Sequence, residues 1–362
     1  MPKNGSLDVL IAVEDPGAAN FVLELPAALK RAGLSCRILA CGHVRNYLLE
    51  RHVECQQYPN GSQGQEFVTQ HAFRLLLAGT SQNPDSPVLA LIDECQNRGI
   101  PTVGFVDMVA DADLRFKGRS NSSLLHAPPS LIVVDSPTKL AFVDLGFPAD
   151  HIHVCGHPAY DRVGQRAKDL ANRELSSFRR TVLGIDPAPR PVWLFAAEHG
   201  AEDPRQRRAA DYTLHGRGVS DRRVDIVLEE ILDARACITP RPFLALRLHP
   251  KNTPEEFASY ATEVDIVSQG GDPLELIWAS DLVLGLSSII LMEAALAGRP
   301  TLSVIPRESE RIWSPSVTAG LTPCVTTRDA LKRELGNNRR PIPPHPGDGA
   351  VTKVVDFLLS QL

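Results

Sequence analysis

Aromatic residues make up only 6% of the 362 positions, so an extended stacking platform for a polysaccharide is not expected. Excess basic charge is lacking too. The formal net charge is -5, which gives no bulk attraction toward nucleic acid. No apolar run approaches the roughly 20 residues of a membrane span. The opening segment "MPKNGSLDVLIAVEDPG" reaches acids too soon for the apolar core of a secretory signal. Paired cysteine is also missing: Cys36, Cys41, Cys55, Cys95, Cys155, Cys237 and Cys324 are scattered, odd in number and form no C-x-x-C. A disulfide framework and a thiolate zinc site are therefore not expected. A cytoplasmic protein is the expectation, with no nucleic-acid partner, no transmembrane segment and a peripheral membrane contact left open.

What is present is a 43% hydrophobic chain too long for one hydrophobic core, which argues for two domains. Short apolar runs alternate with helical patterns from the start. "DVLIAV" (8–13), "FVLELPAALKRAG" (21–33), "SCRILAC" (35–41) and "HVRNYLLERH" (43–52) set a β-α-β-α rhythm. This is the pattern of a parallel sheet covered on both faces. It continues through "FRLLLAGTS" (73–81), "SPVLALIDECQNRG" (86–99), "PTVGFVD" (101–107), "SLIVVDS" (130–136) and "IHVCGHP" (152–158).

From about 165 to 190 the pattern becomes a charged helical stretch ending in the proline-dense "GIDPAPRP", read as a boundary. A second cycle follows, with strands expected at 192–198, 242–250, 264–268, 281–287 and 300–306, and helices near 222–236, 253–262, 273–279 and 289–297. The reading is α/β: two doubly wound domains facing a cleft. It assigns 1–168 to an N-terminal domain, 169–190 to a linker, 191–345 to a C-terminal domain and 346–362 to a closing helix. Ligands of open α/β sheets sit beyond the carboxyl ends of the strands, so strand ends are where chemistry is sought.

"DLVLGLSSIILMEAALAGRP" (281–300) runs from strand into helix at such an end. Ser287 or Ser288 suits an N-cap, and Gly298 with Pro300 closes the helix. Unpaired N–H groups and the positive end of the helix dipole make this start a seat for phosphate. Glu293 follows Ser288 by about 7.5 Å along the axis and leans back toward it, which suits a carboxylate accepting from ribose hydroxyls. The competing reading is that the serines only cap the helix and Glu293 is a surface residue.

The stretch "ASDLVLGLSSIILMEAALAGRPTLSVIP" resembles the donor motif of type-B-fold (GT-B) glycosyltransferases and UDP-N-acetylglucosamine 2-epimerases. "GFVDMVADADLRF" (104–116), "VVDSPTKLAFVDLGFPADHIHVCGHPAYDRV" (133–163) and "LRLHPKN" (246–252) lie in matching order. The similarity spans roughly 100 to 310. It implies two Rossmann-like domains, with Ser287 and Ser288 on the donor phosphate, Glu293 on the ribose and a histidine near His249 on the phosphates. It also implies an acid near Asp107.

Further candidates come from the residues themselves. Arg247 and His249 end a strand, and alternation places them on one face, where a guanidinium and an imidazole could hold a diphosphate or move a proton. "EDPGAAN" (14–20) follows the first strand: Gly17 permits close approach of a ligand, Asn20 could cap or bind, and Glu14 and Asp15 are candidate general bases. With one glycine it is no dinucleotide fingerprint. Asp107 is the first choice of base. Asp111 and Asp113 form a D-x-D that the two-sheet architecture argues against as a metal site, so no metal is expected. Glu198 and His199 open the long charged loop 194–218, where a donor or acceptor would pass.

These residues suit a metal-independent glycosyltransferase that moves a sugar from a nucleoside-diphosphate sugar, UDP being the expected nucleotide, to an acceptor without a cofactor. Two other readings stay open. A nucleoside-diphosphate-sugar 2-epimerase fits less well, because "EDPGAAN" lacks an arginine, "AGTSQN" (78–83) lacks an aspartate after the glycine, and "AAEHGAED" departs from the His-Arg-rich turn of those enzymes. A sugar-nucleotide-binding protein without turnover would need only Ser288 and Glu293.

Overall fold

A computed structural model describes residues 7–42, 44–58, 64–109, 111–199, 207–337, 339–345 and 347–362. Within it the chain divides into two compact units, Met1–Arg162 with Gly347–Leu362, and Val163–Pro346.

In chain order the first unit holds β1 (Leu7–Val13), α1 (Pro16–Val22), α2 (Leu25–Arg31), β2 (Cys36–Ala40), α3 (Val44–Leu49), β3 (Gln56–Gln57) and α4 (Gly64–Gln70). Then come β4 (Phe73–Gly79), α5 (Pro87–Asn97), β5 (Thr102–Val106), β6 (Ser130–Val133), α6 (Ser136–Asp144), β7 (Ile152–Val154) and the start of α7 (Pro158–Ala171). Among the described residues its strands form a seven-stranded sheet in the order β3-β2-β1-β4-β5-β6-β7, and every pairing is parallel.

The near-continuous apolar strands of this sheet are what burial on both faces requires. Val9, Ile11 and Val13 of β1 pack with Phe21, Leu25 and Leu29, while Leu10 and Ala12 point the other way, into a cluster with Leu76 and Phe142. Alternation thus feeds two cores from one strand. The expected single helix over 21–33 is two, α1 and α2, because Pro26 sits in the first turn of the second and can only begin a helix.

The second unit holds α8 (Leu175–Leu183), β8 (Val192–Ala196), α9 (Arg223–Ala236), β9 (Phe243–Arg247), β10 (Ile266–Ser268), α10 (Pro273–Ala279), β11 (Leu282–Gly285) and α11 (Ile289–Leu296). It continues with β12 (Thr301–Val304), α12 (Pro315–Thr318), β13 (Cys324–Val325) and α13 (Arg328–Gly336). Among the described residues its strands form a six-stranded parallel sheet, β10-β9-β8-β11-β12-β13. The segment expected as a 169–190 linker carries α8, packed on α10, and belongs to this unit. Glu174 caps α8 by accepting from the N–H groups of Ser176 and Ser177, so the charged stretch is an ordinary capped helix.

The closing helix, α14 (Ala350–Gln361), belongs to the first unit, where Val354, Val355 and Leu358 join the cluster that contains Leu25. Asp161 holds its start, accepting from the N–H groups of Asp348 (2.9 Å), Gly349 (3.0 Å) and Val351 (3.0 Å). No helix among the described residues is long and apolar enough to cross a membrane.

Candidate active site

Strands β1, β4 and β5 lie side by side, and each delivers a polar residue just past its carboxyl end: Glu14, Thr80 and Asp107. Each has a buried oxygen with no hydrogen-bond partner among the described residues, namely Glu14 Oε2, Thr80 Oγ1 and Asp107 Oδ1. An unpaired buried polar atom is costly, and three on neighbouring strand ends mark a place kept for chemistry rather than for stability.

Asp107 is the most constrained of the three. It is 9% exposed, and its Oδ2 lies where a side chain on Gly17 would have to go: a Cβ there would overlap Oδ2 and stand 3.2 Å from Cγ. Any side chain on Gly17 would therefore collide with this carboxyl, which rests against the first turn of α1. Arg115 Nη1 stands 3.6 Å from Oδ1, beyond hydrogen-bond reach. Burial lifts the Asp107 carboxyl above the ordinary aspartate range, and nearby Asp15 adds to the lift while Arg115 opposes it. The result is an acid whose proton is held more tightly than in water.

Glu14 is tied on its other oxygen, Oε1, to Asn83 Nδ2 at 2.7 Å. Gln82 Nε2 donates to Asp111 Oδ2 at 2.5 Å, and Asp111 adopts the left-handed backbone at φ 55°, an uncommon state for a residue with a side chain. Asp15 is the N-cap of α1 with no side-chain cap bond, and Asn20 lies on the same helix.

In the second unit α11 begins where expected. Ser288 is its N-cap and accepts from Ile290 N–H at 3.3 Å. Glu293 is 9% exposed, so it is not the surface residue of the competing reading. Ser287 is engaged in a way the sequence did not indicate. Its N–H (2.5 Å) and its hydroxyl (2.9 Å) both donate to Glu198 Oε1, which reaches across from the end of the adjacent strand β8. Glu198 Oε2 in turn accepts from Arg223 Nη1. Arg223 is fully buried, its Nε donates to Glu310 Oε2 at 2.5 Å, and Arg307 Nε donates to Glu310 Oε1 at 2.7 Å.

Arg247 and His249 have different partners. Arg247 turns toward β10, donating to Ser268 Oγ (2.9 Å) and Gly271 O (3.0 Å), whereas the His249 ring lies on that of His199, with centroids 5.9 Å apart. Strand β9 ends at Arg247, so alternation no longer governs position 249. His249 Nδ1 accepts from Lys251 N–H at 3.2 Å, and His199 Nδ1 is 3.5 Å from Asn252 Nδ2. Of the loop 194–218, residues 200–206 lie outside the described residues, as does Ala110 before the D-x-D.

The first unit therefore gathers Glu14, Asp15, Gly17 and Asp107; the second gathers Glu198 with Ser287, and His199 with His249. Thr80, Arg115, Arg223 and Glu310 were not foreseen. A threonine after the strand-ending Gly79 was the one available signal among them.

No family model matches the chain, and no curated protein matches it either. Solved structures do. A UDP-GlcNAc 2-epimerase from Neisseria meningitidis, determined with UDP-GlcNAc bound, superposes with a TM-score of 0.69 at 13% identity, over 98% of this chain and 100% of its own. S. aureus MnaA, determined with UDP, gives 0.68 at 14% identity, over 98% of each chain. A glycosyltransferase from Rickettsia africae gives 0.58 at 14% identity, over 99% of this chain and 93% of its own. The chain thus has the GT-B-like α/β fold of these epimerases and this glycosyltransferase, with two Rossmann-like domains.

Proposed function

We propose that the chain is a nucleotide-sugar-processing enzyme and, more finely, a metal-independent glycosyltransferase. The observation that carries the reading is the Asp107 carboxyl: buried at a strand end, raised in pKa, with one oxygen that has no partner among the described residues. A carboxyl tuned toward working pH can take a proton from an attacking hydroxyl without remaining permanently charged. Glu14, whose Oε2 has no partner among the described residues, would orient that hydroxyl, and Thr80 would donate to or accept from it.

At the donor end, α11 offers the dipole and N–H groups of its first turn to a nucleoside diphosphate, Ser288 adds a hydroxyl, and Glu293 accepts from the ribose. UDP is the proposed nucleotide, supported by the relatives determined with UDP or UDP-GlcNAc. His249, with His199 stacked on it, would donate to the oxygens of the departing diphosphate, where charge develops.

The fold relatives favour 2-epimerase chemistry at least as much. The two carboxylates Glu14 and Asp107 could also serve the elimination and readdition that such a reaction requires. Transfer is preferred here because the loop after β1 lacks arginine and Thr80 stands where those enzymes place an aspartate. One experiment separates the readings: a panel of UDP-sugars incubated with the protein in deuterated water, with and without a library of hydroxyl acceptors. Acceptor-dependent UDP release supports transfer. Deuterium at the sugar C2 without acceptor replaces it by epimerisation, and nucleotide binding without either product leaves a binding protein.

A further inference from the structure

Glu198 and the fully buried Arg223 form a group that the proposed chemistry does not use. The carboxylate of Glu198 occupies the place that the sequence assigned to phosphate: its Oε1 takes both the N–H and the hydroxyl of Ser287 at the entrance to α11. Its Oε2 takes Arg223 Nη1. Glu310 cannot replace it, since one Glu310 oxygen is engaged by Arg223 Nε and the other by Arg307 Nε.

A further donor waits in the same cluster. The Tyr212 ring lies under the Arg307 guanidinium at 5.4 Å, and its hydroxyl, buried and within the electrostatic reach of Arg223 and Glu310, has no hydrogen-bond partner among the described residues.

We propose that Glu198 is an internal occupant of the donor-phosphate seat and that Arg223 is the cation a phosphate meets once that carboxylate swings away. The exchange is anion for anion. A buried guanidinium stripped of one carboxylate is costly, so Glu198 leaves only as another anion arrives. The same donors would then bind phosphate: Ser287 N–H, Ser287 Oγ, which lies 3.5 Å from Arg223 Nη2, and Arg223 Nη1. The ligand class is the diphosphate of a nucleotide, and in this respect the inference rests on the reading under Proposed function. It adds that the seat is self-occupied at rest, which sets a threshold on binding.

The test is calorimetric titration of the full chain with UDP, inorganic pyrophosphate and uridine, comparing wild type with Glu198→Gln. The amide keeps the size of the side chain but competes poorly for Arg223. The expected result is UDP and pyrophosphate bound at least tenfold more tightly by Glu198→Gln, with uridine, which has no phosphate, unchanged. Should that variant fail to fold, Glu198→Asp carries the same test: it retains the charge but is one methylene short of Ser287, and it too should bind UDP more tightly. If wild type binds UDP and neither variant binds it better, Glu198 is a structural ion-pair partner and this proposal alone is overturned. A rise in uridine affinity matching that for UDP overturns it as well. If neither wild type nor variant binds any of the three, the functional reading falls with it.

Discussion

The Asp107 carboxyl and the Gly17 backbone are in contact: Oδ2 fills the space that any side chain at position 17 would need. A glycine in the first turn of a helix is otherwise a poor choice, costing about 0.5–1 kcal/mol relative to alanine in a helix interior. Gly17→Ala should therefore leave the fold standing, with a melting temperature within a few degrees of wild type, while turning the Asp107 carboxyl out of its place. Turnover should drop by tenfold or more. An active Gly17→Ala enzyme would mean that the position of Asp107 does not matter to the reaction.

Asp107 also makes stability depend on pH in a defined direction. Its folded pKa lies above the unfolded value of about 3.9. Between those two values the folded chain holds more protons than the unfolded one, so this group's effect is to lower stability as pH rises through the folded pKa. Below the unfolded value that penalty is absent. Asp107→Asn removes the titration, so its melting temperature relative to wild type should be higher at pH 8 than at pH 4, while turnover is abolished. Equal differences at both pH values would show that burial does not perturb the carboxyl.

The Arg223 cluster should dominate the stability of the second unit. Removing one partner of a buried ion pair leaves an uncompensated charge, at a cost of about 3–5 kcal/mol. Arg223→Met should show a loss of this size in urea unfolding. Arg207, whose partner Asp221 is exposed, should lose under about 1 kcal/mol on the same substitution.

Asp161 provides a check on the placement of the C-terminal helix. It receives three N–H groups at the start of α14 from 187 or more residues away in sequence. Asp161→Ala should speed hydrogen exchange in the first turn of α14 without changing exchange in β4. Unchanged exchange in α14 would mean that apolar packing alone holds it.

Strand positions were legible because both sheets are buried on both faces, which forces apolar runs such as Leu75–Ala78. Short edge strands escaped notice: Gln56–Gln57 and Cys324–Val325 are too brief to show a pattern. At the site, the start of α11 could be read because N-cap, helix and terminating glycine are contiguous in sequence. Glu198 was marked by its place at the mouth of a loop, but its partnership with Arg223 and Glu310 could not be read, since it joins residues 25 and 87 positions apart and charge on a helix usually signals a solvated face. For Arg247, strand alternation speaks only of a face, and its hydrogen bonds across to Ser268 of β10 and to Gly271 could not be read from the sequence.

α11 and Glu293 are proposed to grip a nucleoside diphosphate. The most direct measurement is calorimetric titration of wild type and Glu293→Ala with UDP, CDP, GDP, TDP and ADP. The expected result is one nucleotide, UDP, bound by wild type and bound at least tenfold more weakly by Glu293→Ala, with the variant still folded. Binding of no nucleotide by wild type, or equal binding by both proteins, would contradict it.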